Sequence, residues 1–159
     1  MTDIGQRDLE IREFLESDLD QVMAIELESY PIPWSRSLFE LSLKSADECW
    51  VICEGGALCG YAIISNVLDE AHLLNICISQ KRARKGYGRN LLRYVIARAI
   101  AREAAMFFLE VRVSNSAAID MYFSEGFNEV GVRPNYYPAK KGREDALLMT
   151  LELKVDQFV

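Results

Sequence analysis

A short apolar strand, a basic glycine loop and an amphipathic helix follow one another at residues 73–104, and they constrain the fold most. The strand is Leu73–Ile78, and the loop after it ends with Gly86 and Gly88. Beyond the loop, apolar residues recur at helical spacing: Leu91, Leu92, Val95, Ile96, Ala99 and Ile100. A helix with glycines and cations at its first turn presents free backbone N–H groups to an anion. This stretch therefore predicts a phosphate-binding turn between a strand and a helix.

The charge of this loop contrasts with that of the chain. The 159 residues carry a formal net charge of −6, which argues against general nucleic-acid binding. Five of the 18 basic residues nevertheless fall at positions 81–89: Lys81, Arg82, Arg84, Lys85 and Arg89. Such a local cluster predicts one anionic ligand rather than a nucleic-acid partner.

The length fits one domain over residues 1–159. Charged residues such as Asp3 and Arg7 interrupt the apolar core that a signal peptide needs. Apolar runs stay well short of the roughly 18 residues of a membrane span. We therefore expect a cytoplasmic protein with no membrane partner.

Cysteine and histidine content gives no sign of a metal site. The four cysteines fall in or beside predicted strands, where small core residues in a reducing cell are the favoured interpretation. Cys49 and Cys53 have a C-x₃-C spacing, but the single His72 cannot complete a zinc set. We expect no bound metal.

Seven strands are predicted from alternation, short apolar runs and turn residues, at residues 9–14, 50–53, 58–65, 71–78, 106–111, 127–133 and 146–153. Gly55 and Gly56 read as a hairpin turn between the second and third strands. Residues 134–138, which contain two prolines, are predicted to form a loop.

Capping residues and breakers mark the helices that alternate with these strands. The first helix follows a cap at Ser17 or Asp18, and Ser35 caps the second. The fourth begins at Asn115 and ends before Gly126 as a C′ glycine. The predicted order is βααβββαβαββ, an α/β fold with a mixed sheet and helices on its faces.

Three ligand classes compete for the glycine loop. A nucleoside-triphosphate loop needs G-x-x-x-x-G-K-[ST], which is absent. A dinucleotide-binding fingerprint fits Gly86-Tyr87-Gly88 and an acid at Glu110, but Leu91 stands where its third glycine belongs. The pyrophosphate of coenzyme A is the third candidate.

Two sequence motifs favour coenzyme A. R-K-G-Y-G-R at residues 84–89 resembles motif A of the GCN5-related N-acetyltransferases, and N-S-A-A-I-D-M-Y-F-S-E-G-F at 115–127 resembles motif B of that superfamily. L-E-V-R-V-S-N at 109–115, N-Y-Y-P at 135–138, G-R-E-D-A at 142–146 and P-W-S at 33–35 resemble the RimI-type ribosomal-protein alanine N-acetyltransferases. This resemblance runs from about Leu9 to Leu153. It implies a GNAT fold, with a mixed, mostly antiparallel sheet of about seven strands flanked by about four helices.

The chain departs from motif A at one position. Ala83 stands where the usual motif has Gln or Arg, three residues before the first glycine. Backbone N–H groups can still bind the pyrophosphate, and Arg82 or Arg84 could supply the missing side-chain contact.

The resemblance implies acetyl-CoA as the co-substrate, with Glu110 as general base and Tyr122 as general acid. From the residues alone, Glu110 could lie on the solvated face of a strand and Tyr122 could pack in the core. The residues that the resemblance assigns to coenzyme binding are Ile76, Cys77 and Ile78 through their main chain, and Arg84, Lys85, Gly86, Tyr87, Gly88, Arg89 and Asn115. Asn115 also fits a helix N-cap.

The resemblance places Trp34, Tyr136 and Tyr137 beside the incoming peptide N-terminus. From the residues alone, loop aromatics could instead pack against the core. Glu144 and Asp145 could attract a cationic N-terminus or form a solvated turn.

The implied activity is acetylation of a protein α-amine, with the N-terminal alanine of a small-subunit ribosomal protein as the family substrate. An α-amino group has a pKa of roughly 7.7–8.0 and is partly neutral near pH 7, whereas a Lys amine near ~10.4 needs a stronger base. Attack is expected to be direct, because Cys77 lies inside an apolar strand where a thiol intermediate is improbable. The alternatives are a Lys or small-molecule acetyltransferase and a non-catalytic coenzyme A-binding module.

Overall fold

The structure is a computed structural model that describes residues 8–153 of the chain. Its helices are α1 (Leu19–Ser29), α2 (Arg36–Lys44), α3 (Tyr87–Ala101) and α4 (Ser116–Ser124). Its strands are β1 (Leu9–Glu13), β2 (Glu48–Glu54), β3 (Ala57–Val67), β4 (Glu70–Ile78), β5 (Met106–Arg112), β6 (Asn128–Pro138) and β7 (Arg143–Glu152). Short 3₁₀ turns occupy Glu16–Asp18 and Gln80–Arg82. The predicted order βααβββαβαββ is confirmed.

The seven strands form one sheet in the order β1-β2-β3-β4-β5-β7-β6. β4 and β5 are parallel, paired from Glu70↔Met106 to Leu73↔Leu109. The β1–β2, β2–β3, β5–β7 and β6–β7 pairs are antiparallel. A parallel pair needs a crossover connection, and helix α3 lies in it. The mixed, mostly antiparallel sheet that the sequence predicts is confirmed.

The chain divides into two compact units. Among the described residues, the first comprises 8–64 together with Asn75–Val95, and the second comprises Ser65–Leu74 and 96–153.

The core of the first unit is built around Phe39. Its ring is fully buried and lies 6.1 Å from the ring of Phe14 and 5.7 Å from that of Tyr61. Helix α1 adds a buried stripe with the spacing of one helical face: Leu19, Val22 and Ile25. Gly60 on β3 is required here, because a Cβ would lie 2.5 Å from the carbonyl oxygen of Cys77. The approach of β3 and β4 at this point therefore requires glycine.

The core of the second unit is built around Phe127. Its ring lies 5.8 Å from that of Phe107 and 5.6 Å from that of Tyr122. The turn before it closes helix α4, because the N–H of Phe127 donates to the Tyr122 carbonyl and that of Gly126 to the Phe123 carbonyl, each at 3.0 Å. With φ at 100°, Gly126 is the predicted C′ glycine.

Two further local predictions are confirmed. The Oγ of Ser35 accepts a hydrogen bond from the N–H of Leu38 at 3.3 Å and so caps α2. Gly55 and Gly56 have φ of 57° and 81°, the left-handed pair that a two-residue hairpin turn needs.

The predicted cap of α1 is corrected. Asp18 precedes the helix, but its carboxylate makes no capping hydrogen bond. The carboxylate instead accepts from the N–H of Leu15 and pairs with Arg12, both at 2.8 Å. The Arg12 hydrogen bond lowers the pKa of Asp18. This pairing ties the turn before α1 to β1.

The predicted loop at residues 134–138 is wrong, because β6 continues to Pro138. Its register with β7 shifts between Arg133 and Tyr137, so the extra residues form a bulge. Asn135 has φ of 52°, and its N–H donates to the Asp145 carboxylate at 2.8 Å. β6 is an edge strand, where prolines are tolerated because no ladder hydrogen bond is lost.

Candidate active site

The glycine loop ends where α3 begins. Gly86 has φ of 81°, which glycine adopts without strain, and the N–H of Asn90 donates to its carbonyl at 3.0 Å. A Cβ at Gly86 would meet no atom within 4 Å, so the space beside it is open. The first N–H groups of an α-helix have no carbonyl partner within the helix. The loop thus combines backbone donors with open space, as an anion site requires.

Glu54, at the end of β2, organises the cations of this loop. Its Oε1 lies 2.8 Å from Nε of Arg82 and 3.8 Å from Nζ of Lys85. Its Oε2 accepts a hydrogen bond from the hydroxyl of Tyr87. That hydrogen bond is the main cause lowering the pKa of Glu54, and it raises the pKa of Tyr87 to about 12. Sequence reasoning missed Glu54, because no local pattern signals a partner so distant along the chain.

Two arginines flank Ala83, which stands where motif A usually has Gln or Arg. Arg82 is engaged by Glu54, whereas Arg84 is exposed and has φ of 63°. Gly88 and Arg89 lie half-buried in the first turn of α3. Arg84 is therefore the better placed of the two arginines to replace the missing side-chain contact.

β4 continues past its pairing with β5. That ladder ends at Leu73↔Leu109, and the strand runs on to Ile78. The carbonyl of Ile76 accepts a hydrogen bond from the Tyr30 hydroxyl at 2.8 Å, and Cys77 lies in the core of the first unit. Burial raises the pKa of the Cys77 thiol, so a reactive thiolate is disfavoured. The end of β4 thus has no ladder with β5, and the side chain of Cys77 packs in the core.

Glu110 faces a cavity in the second unit. On β5, Phe107, Leu109 and Val111 are buried on one face, so Glu110 points to the other. Its side chain is 13% exposed. The cavity measures about 230 Å³, and its polar lining comprises Glu70, His72, Glu110 and Arg133.

The two carboxylate oxygens of Glu110 have different surroundings. Oε1 lies 3.1 Å from Nε2 of His72. Oε2 lies 3.0 Å from Nε of Arg133, yet it is buried and accepts no hydrogen bond. This contact is therefore one of charge, because the Arg133 N–H group does not point at the oxygen. Oε2 keeps a lone pair that could accept a proton.

Tyr122, on helix α4, packs in the core of the second unit. It is 4% exposed and packs on Phe127, which in turn packs on Phe107. Burial, with a smaller effect of Tyr137, raises the pKa of Tyr122 and keeps its phenol protonated. Among the contacts of the described residues, none joins Tyr122 directly to Glu110.

Asn115 precedes helix α4. Its Oδ1 accepts a hydrogen bond from the N–H of Ala118 at 3.3 Å, so the predicted N-cap is confirmed. The residue is exposed.

Tyr136 and Tyr137 lie on β6 with their rings 5.0 Å apart. The guanidinium of Arg133 lies 5.3 Å from the Tyr136 ring, and that of Arg112 lies 4.6 Å from the Tyr137 ring. Burial raises the pKa of both phenols, to about 12 for Tyr137, and the charge of Glu110 contributes to each rise. The structure therefore gathers both tyrosines around Glu110.

Glu144 and Asp145 are engaged in holding the β6–β7 hairpin and its surroundings. Glu144 pairs with Arg112 at 3.1 Å and accepts from the N–H of Ser114 at 2.8 Å. Asp145 accepts from the N–H of Asn135 at 2.8 Å. These contacts give both carboxylates a structural role.

Trp34 is half-buried in the first unit, with its ring 5.1 Å from that of Phe39. Its backbone N–H donates to Oε2 of Glu26 at 2.9 Å, and the hydroxyl of Tyr61 donates to Oε1 of Glu26 at 2.6 Å. Glu26 is 1% exposed, and sequence reasoning missed it as the residue that fixes the Trp34 segment. An acidic residue on a helix face gave no signal that it would be buried.

The described residues show neither a metal cluster nor a membrane helix. Within residues 8–153, no three His, Cys, Asp or Glu side chains are grouped to hold a metal ion. All four cysteines are free thiols. None of the helices in this range is long and apolar enough to cross a membrane.

The fold and these motifs define the class of protein. Residues 19–127 match the model of the Acetyltransferase (GNAT) family. The chain belongs to this family. It is an acetyl-CoA-dependent N-acetyltransferase, as the sequence predicts.

The chain is also similar to individual enzymes of one kind. The chain is 40% identical over 139 residues to the [ribosomal protein bS18]-alanine N-acetyltransferase of Escherichia coli strain K12, covering 87% of this chain and 94% of that protein. It is 35% identical over 141 residues to the putative enzyme of the same description from Bacillus subtilis strain 168, with coverage of 87% and 92%. The resemblance to the RimI type is confirmed.

Solved structures of acetyltransferases have a similar fold. The crystal structure of the ribosomal-protein-S18-alanine N-acetyltransferase from Escherichia coli superposes with a TM-score of 0.86 and 37% identity, covering 95% of this chain and 99% of the other. The structure of yncA, a putative acetyltransferase from Salmonella typhimurium with its cofactor acetyl-CoA, has a TM-score of 0.78 at 19% identity, with coverage of 95% and 97%. The second likeness supports the fold alone.

Proposed function

We propose that this chain transfers the acetyl group of acetyl-CoA to the N-terminal α-amine of a protein, with a small-subunit ribosomal protein that begins with alanine as its substrate. The similarity to bS18-alanine N-acetyltransferases over 94% of their length carries this proposal. It implies a single acetyltransferase domain over residues 1–159, acting in the cytoplasm.

Coenzyme binding is assigned to the glycine loop and the end of β4. Acetyl-CoA supplies the acetyl thioester. The N–H groups of Gly86, Tyr87 and Gly88, with the cations Arg84, Lys85 and Arg89, suit its pyrophosphate. The main chain of Ile76–Ile78 suits its pantetheine arm, and Asn115 lies at the start of α4.

Glu110 is assigned the role of general base. Its Oε2 is buried, close to a cation and without a hydrogen bond, so it can take the proton that the amine loses as the C–N bond forms. An α-amine suits this base, because its pKa of roughly 7.7–8.0 lies well below that of a Lys amine.

Tyr122 is assigned the role of general acid. Burial keeps its hydroxyl protonated, so it can donate to the sulfur as the C–S bond breaks. Transfer is direct, since the raised pKa of the Cys77 thiol disfavours an acetyl-enzyme.

The acceptor N-terminus is assigned to Trp34, Tyr136 and Tyr137. Burial and, second to it, the charge of Glu110 raise the pKa of Tyr136 and Tyr137, which supports a place near the attacking amine. The Trp34 ring packs on Phe39, so its contact with a substrate would come from the half of the side chain left exposed.

Mass spectrometry of peptides incubated with acetyl-CoA tests this function. Each sequence should be supplied with a free α-amine and, as a matched control, with a blocked α-amine and one Lys. We expect acetylation of the free α-amine, fastest with alanine first. Preference for the Lys side chain would indicate a Lys acetyltransferase, and binding of acetyl-CoA without transfer would indicate a non-catalytic module.

A further inference from the structure

His72 lies beside Glu110 and has no part in the mechanism above. It is the single histidine of the chain. Its Nε2 lies 3.1 Å from Oε1 of Glu110. The parallel register sets Phe108 opposite His72 on β5, and Glu110 is two residues further on the same face. The contact therefore follows from the strand register.

The two side chains differ in their access to water. Glu110 is 13% exposed, whereas the side chain of His72 is 41% exposed, and both line the same cavity. Of the two side chains in contact, His72 therefore has the better access to water.

The other groups that face this pair do not offer the same path. The guanidinium of Arg133 on β6 is a hydrogen-bond donor and has no lone pair to accept the proton. Burial raises the pKa of Tyr136 and Tyr137, also on β6, so their phenols keep their protons. Glu70 on β4 lines the cavity but is not among the contacts of Glu110. An imidazole gains and loses a proton readily near neutral pH.

We propose that His72 carries the proton from Glu110 to water after each acetyl transfer, which rests on the proposed role of Glu110. An amine that enters as R–NH₃⁺ loses two protons in becoming the amide. One replaces the proton that Tyr122 gives to the departing sulfur, and the other is taken by the Glu110 carboxylate. His72 acts through Glu110 and does not touch the reacting atoms.

Rotation of the protonated carboxyl group of Glu110 brings its O–H to the side of His72, where Oε1 now lies 3.1 Å from Nε2. The O–H then gives its proton to the lone pair on Nε2 of the His72 tautomer that is protonated on Nδ1. The imidazolium ion that forms loses its Nδ1 proton to water. Exchange with water at the exposed ring restores the starting tautomer, and Glu110 is again a carboxylate.

Turnover in a weakly buffered solution tests this role. His72→Ala should lower kcat about tenfold, less than the roughly 10²- to 10⁴-fold expected from loss of a general base, with the KM for acetyl-CoA unchanged. Added imidazole should restore kcat of His72→Ala in a saturable way and leave the unsubstituted enzyme unchanged. His72→Gln, which can donate to Glu110 but cannot carry a proton, should be as slow as His72→Ala.

Leu74→Ala is the matched control, because Leu74 lies two residues along the same face of β4 and carries no titratable group. Its kcat should not respond to imidazole. Full kcat in both His72 variants, or a loss that imidazole does not restore, would overturn the proposal. Glu110→Gln distinguishes a failure of the general-base assignment from a failure of the role proposed for His72. If it keeps full turnover, the general-base assignment is wrong; if it is inactive while both His72 variants are fully active, only the role of His72 is wrong.

Discussion

Glu54 in the first unit and Glu110 in the second have similar partners, and the two carboxylates differ in their hydrogen bonds. Each carboxylate lies beside two basic side chains and a phenol: Arg82, Lys85 and Tyr87 for Glu54, and His72, Arg133 and Tyr136 for Glu110. Oε2 of Glu54 accepts a hydrogen bond from Tyr87, and Oε1 lies beside the cations of the glycine loop. One oxygen of Glu110 is buried without a hydrogen bond, and the residue lines a cavity.

This difference indicates that Glu54 positions its neighbours and that Glu110 takes part in the chemistry. A carboxylate that is hydrogen-bonded and ion-paired to several groups of one loop holds those groups in place. A carboxylate with an unoccupied oxygen at a cavity can accept a proton from a molecule that enters. We therefore assign Glu54 to the shape of the coenzyme loop and Glu110 to the reaction.

The largest effect is expected from Glu110→Gln. The amide cannot act as a base, so kcat should fall by roughly 10²- to 10⁴-fold, while the Kd for acetyl-CoA stays unchanged. Steady-state rates and calorimetric titration measure the two quantities. Glu129→Gln on exposed β6 is the matched control and should keep full activity. Equal kcat in both variants would contradict the assignment.

Tyr122→Phe should have the next largest effect. Loss of the hydroxyl should lower kcat by about tenfold to hundredfold, with the packing on Phe127 retained. Because burial raises the pKa of Tyr122 above its usual value of about 10, the acid stays protonated as the pH rises through that value. The pH–rate profile should therefore show no loss of activity centred near pH 10. Tyr94→Phe, which removes a phenol from α3, is the control, and a fall in kcat as large in that variant would count against Tyr122.

The smallest effect is expected from Glu54→Gln. The loop cations would lose their charged partner, and the Kd for acetyl-CoA should rise about two- to fivefold, the size typical of an exposed ion pair. kcat at saturating acetyl-CoA should not change. Glu10→Gln makes the same charge change on β1 and should leave the Kd as it is. Tighter binding by Glu54→Gln would mean that Glu54 neutralises the loop instead of shaping it.

Local features of the fold were predictable because their causes are local. The cap at Ser35, the Gly55-Gly56 turn and the C′ glycine at Gly126 each depend on a few adjacent residues. The bulge at residues 134–138 was not, because its prolines are tolerated only at a sheet edge, and the edge is set by strand order. Asp18 failed as a cap because Arg12 competes for its carboxylate.

The candidate site also has features set by adjacent residues and features set by strand pairing. Gly86 and its neighbours could be recognised as an anion site from one contiguous stretch. The partners of Glu54 and the contact of His72 with Glu110 depend on which strands pair and in what register. The alternation of residues along β4 and β5 is compatible with the contact between His72 and Glu110. It does not determine the register of the two strands, on which the contact depends.

The most direct test of this division is the single-turnover rate of acetyl transfer from saturating acetyl-CoA to the α-amine of a peptide that begins with alanine. The rate for Glu54→Gln should equal that of the unsubstituted enzyme, because binding is already complete. The rate for Glu110→Gln should be at least about 100-fold lower. Equal rates for the two variants, whether both fast or both slow, would contradict the account.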